Sequence, residues 1–118
     1  MGIDAVEIDR FRRALARRPR LALRLFTDRE RAYGARHRDP VPRLAARFAA
    51  KEAVMKALGV GLGAFPFRDV EVVSAPSGAP SVALSGAAAA LAEGRGVAAW
   101  KLSLTHTYGL AAAVAVAL

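Results

Sequence analysis

The sequence has 118 residues, of which 54% are hydrophobic and 24% are charged, and this composition predicts a single globular domain over residues 1–118. Cysteine is absent, so disulfides, thiolate metal sites and cysteine nucleophiles are excluded. The formal net charge is +8, and residues 1–43 carry +6 of it as twelve arginines against six acidic residues. A charge of this kind attracts an acidic partner, whether nucleic acid, an anionic lipid surface or an acidic protein.

No apolar run approaches the roughly 20 residues that a membrane-spanning helix needs, so we expect no membrane span. The first residues lead directly into charged sequence, without the apolar stretch of a secretory signal. We therefore expect a cytoplasmic protein.

The first predicted element is a short strand over residues 2–8, which turns into a helix near Asp9 that stops before Pro19. Asp4 falls on the same side of this strand as Val6 and Ile8, an unfavourable place for a carboxylate without a partner. The helix carries arginines three and four residues apart on one face, and the spacing continues beyond the proline: Arg10, Arg13, Arg17 and Arg20. From the pattern alone, a solvated face explains this stripe as well as a binding surface does.

Two further helices are predicted before residue 60. Thr27 and Glu30 have the spacing of a capping box, which predicts a short helix that begins there and runs to about His37. Residues 43–58 form the longest predicted helix. The glycines at 59, 61 and 63 indicate its C-cap, followed by a loop that lets a ligand approach the backbone.

The second half of the chain is predicted to consist mainly of strands. Residues 69–74 and 81–84 flank a Gly/Pro turn and predict a hairpin, and Ser85 can begin a small helix that reaches Glu93. Residues 100–107 and 110–118 alternate and predict a second antiparallel pair. The expected fold class is α+β, with one mainly antiparallel sheet of about five strands packed against helices.

The charges of the longest helix are the best indication of a site. Its surface is apolar nearly all round, so we expect it to be buried, with its charges paired or lining a cleft. On a helical wheel, Glu52 and Lys56 lie at one border of the large apolar residues, and Arg47 and Lys51 lie at the other. An ion pair between Glu52 and Lys56 would be a purely structural explanation. With Asp4 included, these groups also match what Mg²⁺ and a polyphosphate require, which is one or two carboxylates together with Lys and Arg.

The sequence also places a histidine, His106, in SLTHT on a predicted strand. A lone histidine in a strand is more often a satisfied structural residue than a catalyst. No Ser–His–Asp pattern and no His/Cys cluster with metal-ligand spacing accompanies it.

Three segments together resemble the holo-acyl-carrier-protein synthase family, the single-length bacterial 4′-phosphopantetheinyl transferases: GIDAVEIDR at 2–10, RFAAKEAVMKALGVG at 47–61 and WKLSLTHT at 100–107. The resemblance implies the fold of that family. It also implies a Mg²⁺-dependent transfer of the 4′-phosphopantetheine arm from coenzyme A to a serine of an apo acyl carrier protein, as used in fatty acid biosynthesis. The products would be holo carrier protein and 3′,5′-ADP.

The same resemblance implies roles for individual residues. Asp4 and Glu52 match the two metal ligands, and Lys56 matches the lysine that holds phosphate and supports charge on the leaving group. Glu52, directly or through a metal-bound water, is also the first candidate for the base that takes the serine proton. The remaining expected contacts to coenzyme A are Arg47, Lys51, Gly59, Gly61 and His106, with His106 counted among the catalytic residues as a phosphate contact. Some relatives have Asp directly after this histidine, whereas Thr107 stands there here.

The resemblance further implies partners. Carrier proteins are acidic, and the family's first helix receives an acidic helix of the carrier. The expected contacts are Arg10, Arg13, Arg17 and Arg20, with Arg10 and Arg17 foremost. Family members of this length form homotrimers, so each active site is expected to lie between two subunits.

Two alternatives from other functional classes compete with this interpretation. A small basic nucleic-acid-binding protein would explain the charge, but it would not explain carboxylates on apolar faces, and exposed interleaved aromatics are absent. A non-catalytic carrier-protein binder could keep the fold, but the presence of Asp4, Glu52 and Lys56 favours an enzyme. We therefore expect no nucleic-acid partner.

Overall fold

The computed structural model describes all 118 residues. Its elements, in chain order, are β1 (Gly2–Glu7), α1 (Ile8–Arg17), α2 (Leu21–Leu25), α3 (Asp28–Ala35), α4 (Val41–Ala57), a 3₁₀ turn (Phe67–Asp69), β2 (Val70–Ser74), β3 (Pro80–Leu84), α5 (Gly86–Gly94), β4 (Trp100–His106) and β5 (Leu110–Ala117). No helix combines the length and the apolar character needed to cross a membrane.

The strands confirm the α+β class, but they form two sheets rather than one. β5 lies between β1 and β4 in a three-stranded antiparallel sheet, and β2 pairs with β3 as a separate hairpin. β3 packs beside β4, yet no ladder joins them, and Pro80 at the start of β3 has no N–H to donate. The predicted five strands are therefore all present, as a three-stranded sheet and a hairpin.

Helix α4 packs against the three-stranded sheet, and small residues on both elements allow a close approach. Ala49, Ala50 and Ala53 are fully buried on α4. On β1, a Cβ added to Gly2 would lie only 1.9 Å from the carbonyl oxygen of Ala53. The strand backbone therefore touches the helix backbone at this point, which brings Asp4, two residues further along β1, close to α4.

The core has two parts, and α4 contributes its first residues to one and its later residues to the other. The larger part surrounds Val54 and Met55, and the smaller part surrounds Ile8 and Phe26. Phe11 of α1 belongs to the smaller part, and its ring stacks on that of Phe48 with 5.2 Å between the ring centres. α1 is thereby held against α4.

Local signals set the helix ends as predicted. Thr27 and Glu30 form both hydrogen bonds of a capping box at the start of α3. At the end of α4, the N–H groups of Gly59 and Val60 donate to the carbonyls of Lys56 and Met55, which is a Schellman motif, and Gly59 has the required positive φ of 71°. Helix α2 was not predicted, because five residues are too few to produce a helical period.

Candidate active site

Asp4 and Lys56 meet where β1 lies against the last turn of α4. The Lys56 ammonium donates to Asp4 Oδ1 at 2.9 Å and to the carbonyl oxygen of Ile3 at 3.1 Å. The Asp4 side chain is mostly buried, whereas that of Lys56 is 55% exposed. The hydrogen bond from Lys56 to Asp4 raises the pKa of Lys56, so this side chain remains a cation.

Glu52 lies one helical turn before Lys56 and is half-buried. Burial raises the pKa of Glu52, the Asp4 carboxylate raises it further, and Lys56 acts in the opposite direction. The Glu52 carboxylate accepts no hydrogen bond from the protein, and the purely structural Glu52–Lys56 ion pair does not form, because Lys56 pairs with Asp4 instead. The carboxylates of Asp4 on β1 and Glu52 on α4 therefore lie near each other, and Lys56 is the one cation beside them.

A cleft of about 530 Å³ opens beside these carboxylates. Its polar lining consists of Asp4, Glu7, Arg10 and Glu52. Its apolar lining includes Phe11, Leu21, Leu25, Phe48, Leu62 and Phe67. An apolar cleft with a few polar groups is the usual form of a small-molecule site.

The donor set of this cleft fits a magnesium ion that is shared with a phosphate ligand. No group of three or more His, Cys, Asp or Glu side chains could hold a metal by itself. Mg²⁺, however, is typically bound by one or two carboxylates together with water and substrate phosphates. Asp4 and Glu52 supply such a pair, and Glu52 has no competing protein donor.

Arg47 and His106 lie together in a second, polar cavity of about 290 Å³. The Arg47 guanidinium is 3.8 Å from the centre of the Tyr33 ring, and its Nη2 donates to Ser74 Oγ at 2.8 Å, while its Nε has no partner. Burial lowers the pKa of Arg47 from its ordinary value. Arg43 and Gly78 also line this cavity.

The two cavities have no lining residue in common. The structure therefore brings Asp4, Glu52 and Lys56 into one group and Arg47 and His106 into another. Tyr33, Arg43 and Ser74, which surround Arg47, were not predicted from the sequence. Tyr33 lies on α3 and Ser74 on β2, so only the fold brings them to Arg47, whereas Arg43 precedes Arg47 by one turn of α4.

The expectation that Lys51 contacts coenzyme A does not fit its surroundings. Its side chain is 0% exposed, and its ammonium lies 2.7 Å from Glu30 Oε1. The two remaining N–H groups are used by the carbonyl oxygens of Phe67, at 3.1 Å, and Val70. All three donors of the ammonium are thus occupied inside the protein, and we assign Lys51 to the core.

The other predicted residues lie at the surface. Gly59 closes the Schellman motif, and a Cβ added to Gly61 would meet no atom within 4 Å, so the backbone at Gly61 is open to a ligand. The basic residues of the predicted stripe are all exposed, along α1 and just after it: Arg10, Arg13, Arg17 and Arg20. Arg10 is the one that also lines the cleft.

Comparison with known proteins gives one consistent result. The family model for the 4′-phosphopantetheinyl transferase superfamily matches residues 1–116. The chain is 52% identical over 115 residues to a holo-[acyl-carrier-protein] synthase of Moorella thermoacetica, covering 97% of this chain and 89% of that protein. The crystal structure of the holo-[acyl-carrier-protein] synthase of Neisseria meningitidis superposes with a TM-score of 0.90 at 32% identity, covering 99% of this chain and 95% of that one. That of Helicobacter pylori, in complex with coenzyme A, gives 0.87 at 30% identity, covering 99% and 98%.

Proposed function

The chain belongs to the 4′-phosphopantetheinyl transferase superfamily, and we propose that it transfers the 4′-phosphopantetheine arm of coenzyme A to a serine of an apo acyl carrier protein. The observation that carries this proposal is the meeting of Asp4, Glu52 and Lys56 beside the apolar cleft. The relatives named holo-[acyl-carrier-protein] synthase support the choice of carrier protein as acceptor. The complex of one relative with coenzyme A supports the choice of donor.

In the proposed reaction, the serine Oγ attacks the β-phosphorus of the coenzyme A pyrophosphate. The bond from that phosphorus to the bridging oxygen breaks, and 3′,5′-ADP leaves with the electron pair. Glu52 is the candidate that takes the serine proton, because its carboxylate lines the cleft and accepts no hydrogen bond from the protein. Lys56, at the exposed side of Asp4, would hold a phosphate oxygen and stabilise the negative charge that develops on the leaving group.

Asp4 and Glu52 would hold Mg²⁺ together with the pyrophosphate. The ion would neutralise charge on the phosphate oxygens. Without it, the two carboxylates would repel both each other and the phosphates, so we propose that turnover depends on Mg²⁺. Arg47 and His106 would bind the nucleotide part of coenzyme A, and the open backbone at Gly61, with Gly59 beside it, would border the pyrophosphate.

The arginine stripe would receive the acidic carrier protein. Arg10 lines the cleft, and Arg13, Arg17 and Arg20 extend the positive charge away from it along and beyond α1. An acidic helix on this surface would deliver its serine toward Asp4 and Glu52. We expect the reaction to take place in the cytoplasm and to supply holo carrier protein for fatty acid biosynthesis.

We further propose that the enzyme acts as a homotrimer. The outer face of the three-stranded sheet leaves Ile3 64% exposed, with Ala5 beside it, so an apolar surface remains for another subunit to cover. In addition, the two cavities have no lining residue in common, and we propose that coenzyme A uses the cleft of one copy of the chain together with the second cavity of another. Arg47 and His106 of one subunit would then complete the cleft of the next.

The deciding experiment is to incubate the protein with coenzyme A, Mg²⁺ and an apo acyl carrier protein, and then to weigh the carrier by mass spectrometry. We expect a mass gain of one phosphopantetheine arm and the release of 3′,5′-ADP. No gain, under conditions in which an established transferase modifies the same carrier, would exclude the proposed reaction. Carrier binding without mass gain would indicate the non-catalytic alternative.

A further inference from the structure

Glu30 and Lys51 form an ion pair that water does not reach, and its hydrogen bonds join four parts of the chain. From α4, the Lys51 ammonium donates to Glu30 and also to the backbone of the 3₁₀ turn at Phe67 and of β2 at Val70. Because every donor has a partner, the ammonium is held in one position. The rotation of α4 about its axis is therefore tied to the 3₁₀ turn and to β2.

The carboxylate of the pair is equally well satisfied. Glu30 Oε1 accepts from the backbone N–H of Thr27 at 3.0 Å, in the capping box at the start of α3. Glu30 Oε2 accepts from the backbone N–H of Val72 at 3.0 Å. The start of α3 is thus fixed to β2 through the same side chain that fixes α4.

Stability alone does not account for such a pair. Removing two charges from water is costly, and apolar residues of similar size in the same place are often equally stabilising. What the charged pair adds is a single arrangement of the elements it joins, because four directed hydrogen bonds connect it to the surrounding backbone in addition to the one between its members. Such a fixed arrangement matters most when the joined elements also carry the side chains of an active site, because those side chains must be held in a defined geometry.

Two walls of the cleft depend directly on this arrangement. Lys51 is followed in the chain by Glu52, so fixing the rotation of α4 at Lys51 also fixes the backbone position from which the Glu52 side chain extends. Phe67, whose carbonyl oxygen accepts from Lys51, lines the cleft with its ring, which lies 5.4 Å from that of Phe48. The ion pair is therefore joined to the site through the α4 backbone next to Glu52 and through the backbone of Phe67.

We propose that Glu30 and Lys51 are positioning residues, which hold Glu52 and Phe67 in the geometry that the cleft needs for metal and phosphate binding. The proposal rests on the proposed function in so far as Glu52 is taken as a metal ligand. It assigns a role to two side chains that touch neither the substrate nor the reacting atoms.

The test uses the double variant Glu30→Gln/Lys51→Met, which keeps the volume of both side chains and removes both charges. Arg12→Gln/Asp39→Asn is the matched control, because it removes an ion pair that joins α1 to the start of α4 but does not border the cleft. Glu30→Gln alone is the second variant. This variant keeps Lys51. Three donors meet at the Glu30 carboxylate, namely the N–H groups of Thr27 and Val72 and the Lys51 ammonium, so the amide N–H of the glutamine must face at least one of them.

Three quantities are measured for each protein: the melting temperature, the Mg²⁺ concentration at half-maximal activity, and the ¹³Cδ resonance of Glu52 in the metal-free protein. The resonance can be assigned with Glu52→Gln, since the chain has only five glutamates. We expect both Glu30 variants to shift the Glu52 resonance, to raise the Mg²⁺ requirement by about 10-fold or more, and to lower kcat by about 10–100-fold. The control pair is expected to leave the resonance and the Mg²⁺ requirement unchanged.

A folded Glu30 variant with the wild-type resonance, Mg²⁺ requirement and kcat would overturn the proposal and leave the pair a structural one. If the double variant does not fold, Glu30→Gln alone decides the matter by the same measurements. If the wild-type protein fails to modify a carrier, the proposed function fails, and the Glu52 resonance still reports whether the pair positions this side chain.

Discussion

The ammonium of Lys56 lies 2.9 Å from the carboxylate of Asp4, although 52 residues separate the two along the chain. This contact joins β1 to the last turn of α4 at the edge of the cleft. Glu52, one turn earlier on α4, is close enough for the Asp4 carboxylate to raise its pKa. The geometry of the candidate site is therefore set by how closely one strand and one helix pack, and that dependence leads to the first two predictions.

Glu52→Gln should lower kcat by about 100–1,000-fold, because the amide can neither hold Mg²⁺ as a carboxylate does nor take the serine proton. Its fold and oligomeric state should not change, since the substitution keeps the size of the side chain. Steady-state kinetics and size-exclusion chromatography check both expectations. Glu93→Gln, at an exposed position of α5, is the control and should behave as wild type. An active Glu52→Gln would mean that the metal is held elsewhere.

Gly2→Ala should destabilise the protein by about 1–3 kcal/mol, because the added Cβ would overlap the Ala53 carbonyl oxygen and push β1 away from α4. Asp4 would move with the strand, so activity should fall as well. Thermal unfolding and the transfer assay measure the two effects. Gly94→Ala is the matched control, since a Cβ there meets no atom within 4 Å. Wild-type stability in Gly2→Ala would argue against the close packing of strand and helix.

Arg17→Glu should raise the KM for the carrier protein by at least 10-fold, while the KM for coenzyme A remains within about two-fold of the wild-type value. The expected cause is repulsion between the new carboxylate and the acidic carrier. Arg36→Glu makes the same charge change at an exposed position outside the stripe and should affect carrier binding much less. Equal effects of the two variants would show that net charge, and not the arginine stripe, governs docking.

Mixed subunits can test whether the two cavities belong to one active site. Arg47→Met should raise the KM for coenzyme A, and Glu52→Gln should be nearly inactive. If each site combines Glu52 of one subunit with Arg47 of the next, co-expression of the two variants in equal amounts should restore about a quarter of the wild-type sites. The assay is run at a coenzyme A concentration well below the KM of the Arg47→Met protein, where activity no higher than the mean of the separate variants would contradict a shared site.

Acidification should remove the contribution of the Arg12–Asp39 pair to stability. The hydrogen bond from Arg12 lowers the pKa of Asp39 below its ordinary value, so the folded state binds this proton less tightly than the unfolded state does. The stabilisation is therefore present above the ordinary pKa of aspartate and is lost as the pH falls through the lowered pKa. Asp39→Asn, which can still accept from the Val41 N–H, should have a lower Tm than wild type at pH 7, and the difference should disappear once the pH lies below the lowered pKa of Asp39. If the Tm of Asp39→Asn stayed below that of wild type in acid, the destabilisation would have a cause other than the loss of the Arg12–Asp39 ion pair.

The parts of this structure that could be predicted from the sequence are those that depend on residues close together along the chain. The capping box at Thr27, the helix stop before Pro19 and the C-cap at Gly59 involve groups a few residues apart, so local patterns reveal them. The motifs containing Asp4, Glu52 and Lys56 also led to the family, which the comparisons confirm.

The surroundings of Lys51 could not be predicted in the same way. The helical wheel placed Lys51 and Arg47 at the same border of α4, but it could not show which side faces the protein interior. Glu30, the partner of Lys51, lies 21 residues earlier. Its place in the capping box was enough to account for this carboxylate, so the sequence offered no reason to seek a second partner for it. Two roles for one carboxylate become visible only when the tertiary packing is known.

The buried alanines of α4 have a consequence for mutational surveys of this enzyme. Ala49, Ala50 and Ala53 are 0% exposed, and a larger side chain at any of them would force the helix away from its neighbours. In a saturation mutagenesis screen scored by growth alone, these positions would be as intolerant as Glu52. Residues that perform chemistry would stand out only when the cellular abundance of each variant is scored as well. A bulky substitution at an alanine is expected to remove the protein, whereas Glu52→Gln is expected to remove the activity and to leave the protein in place.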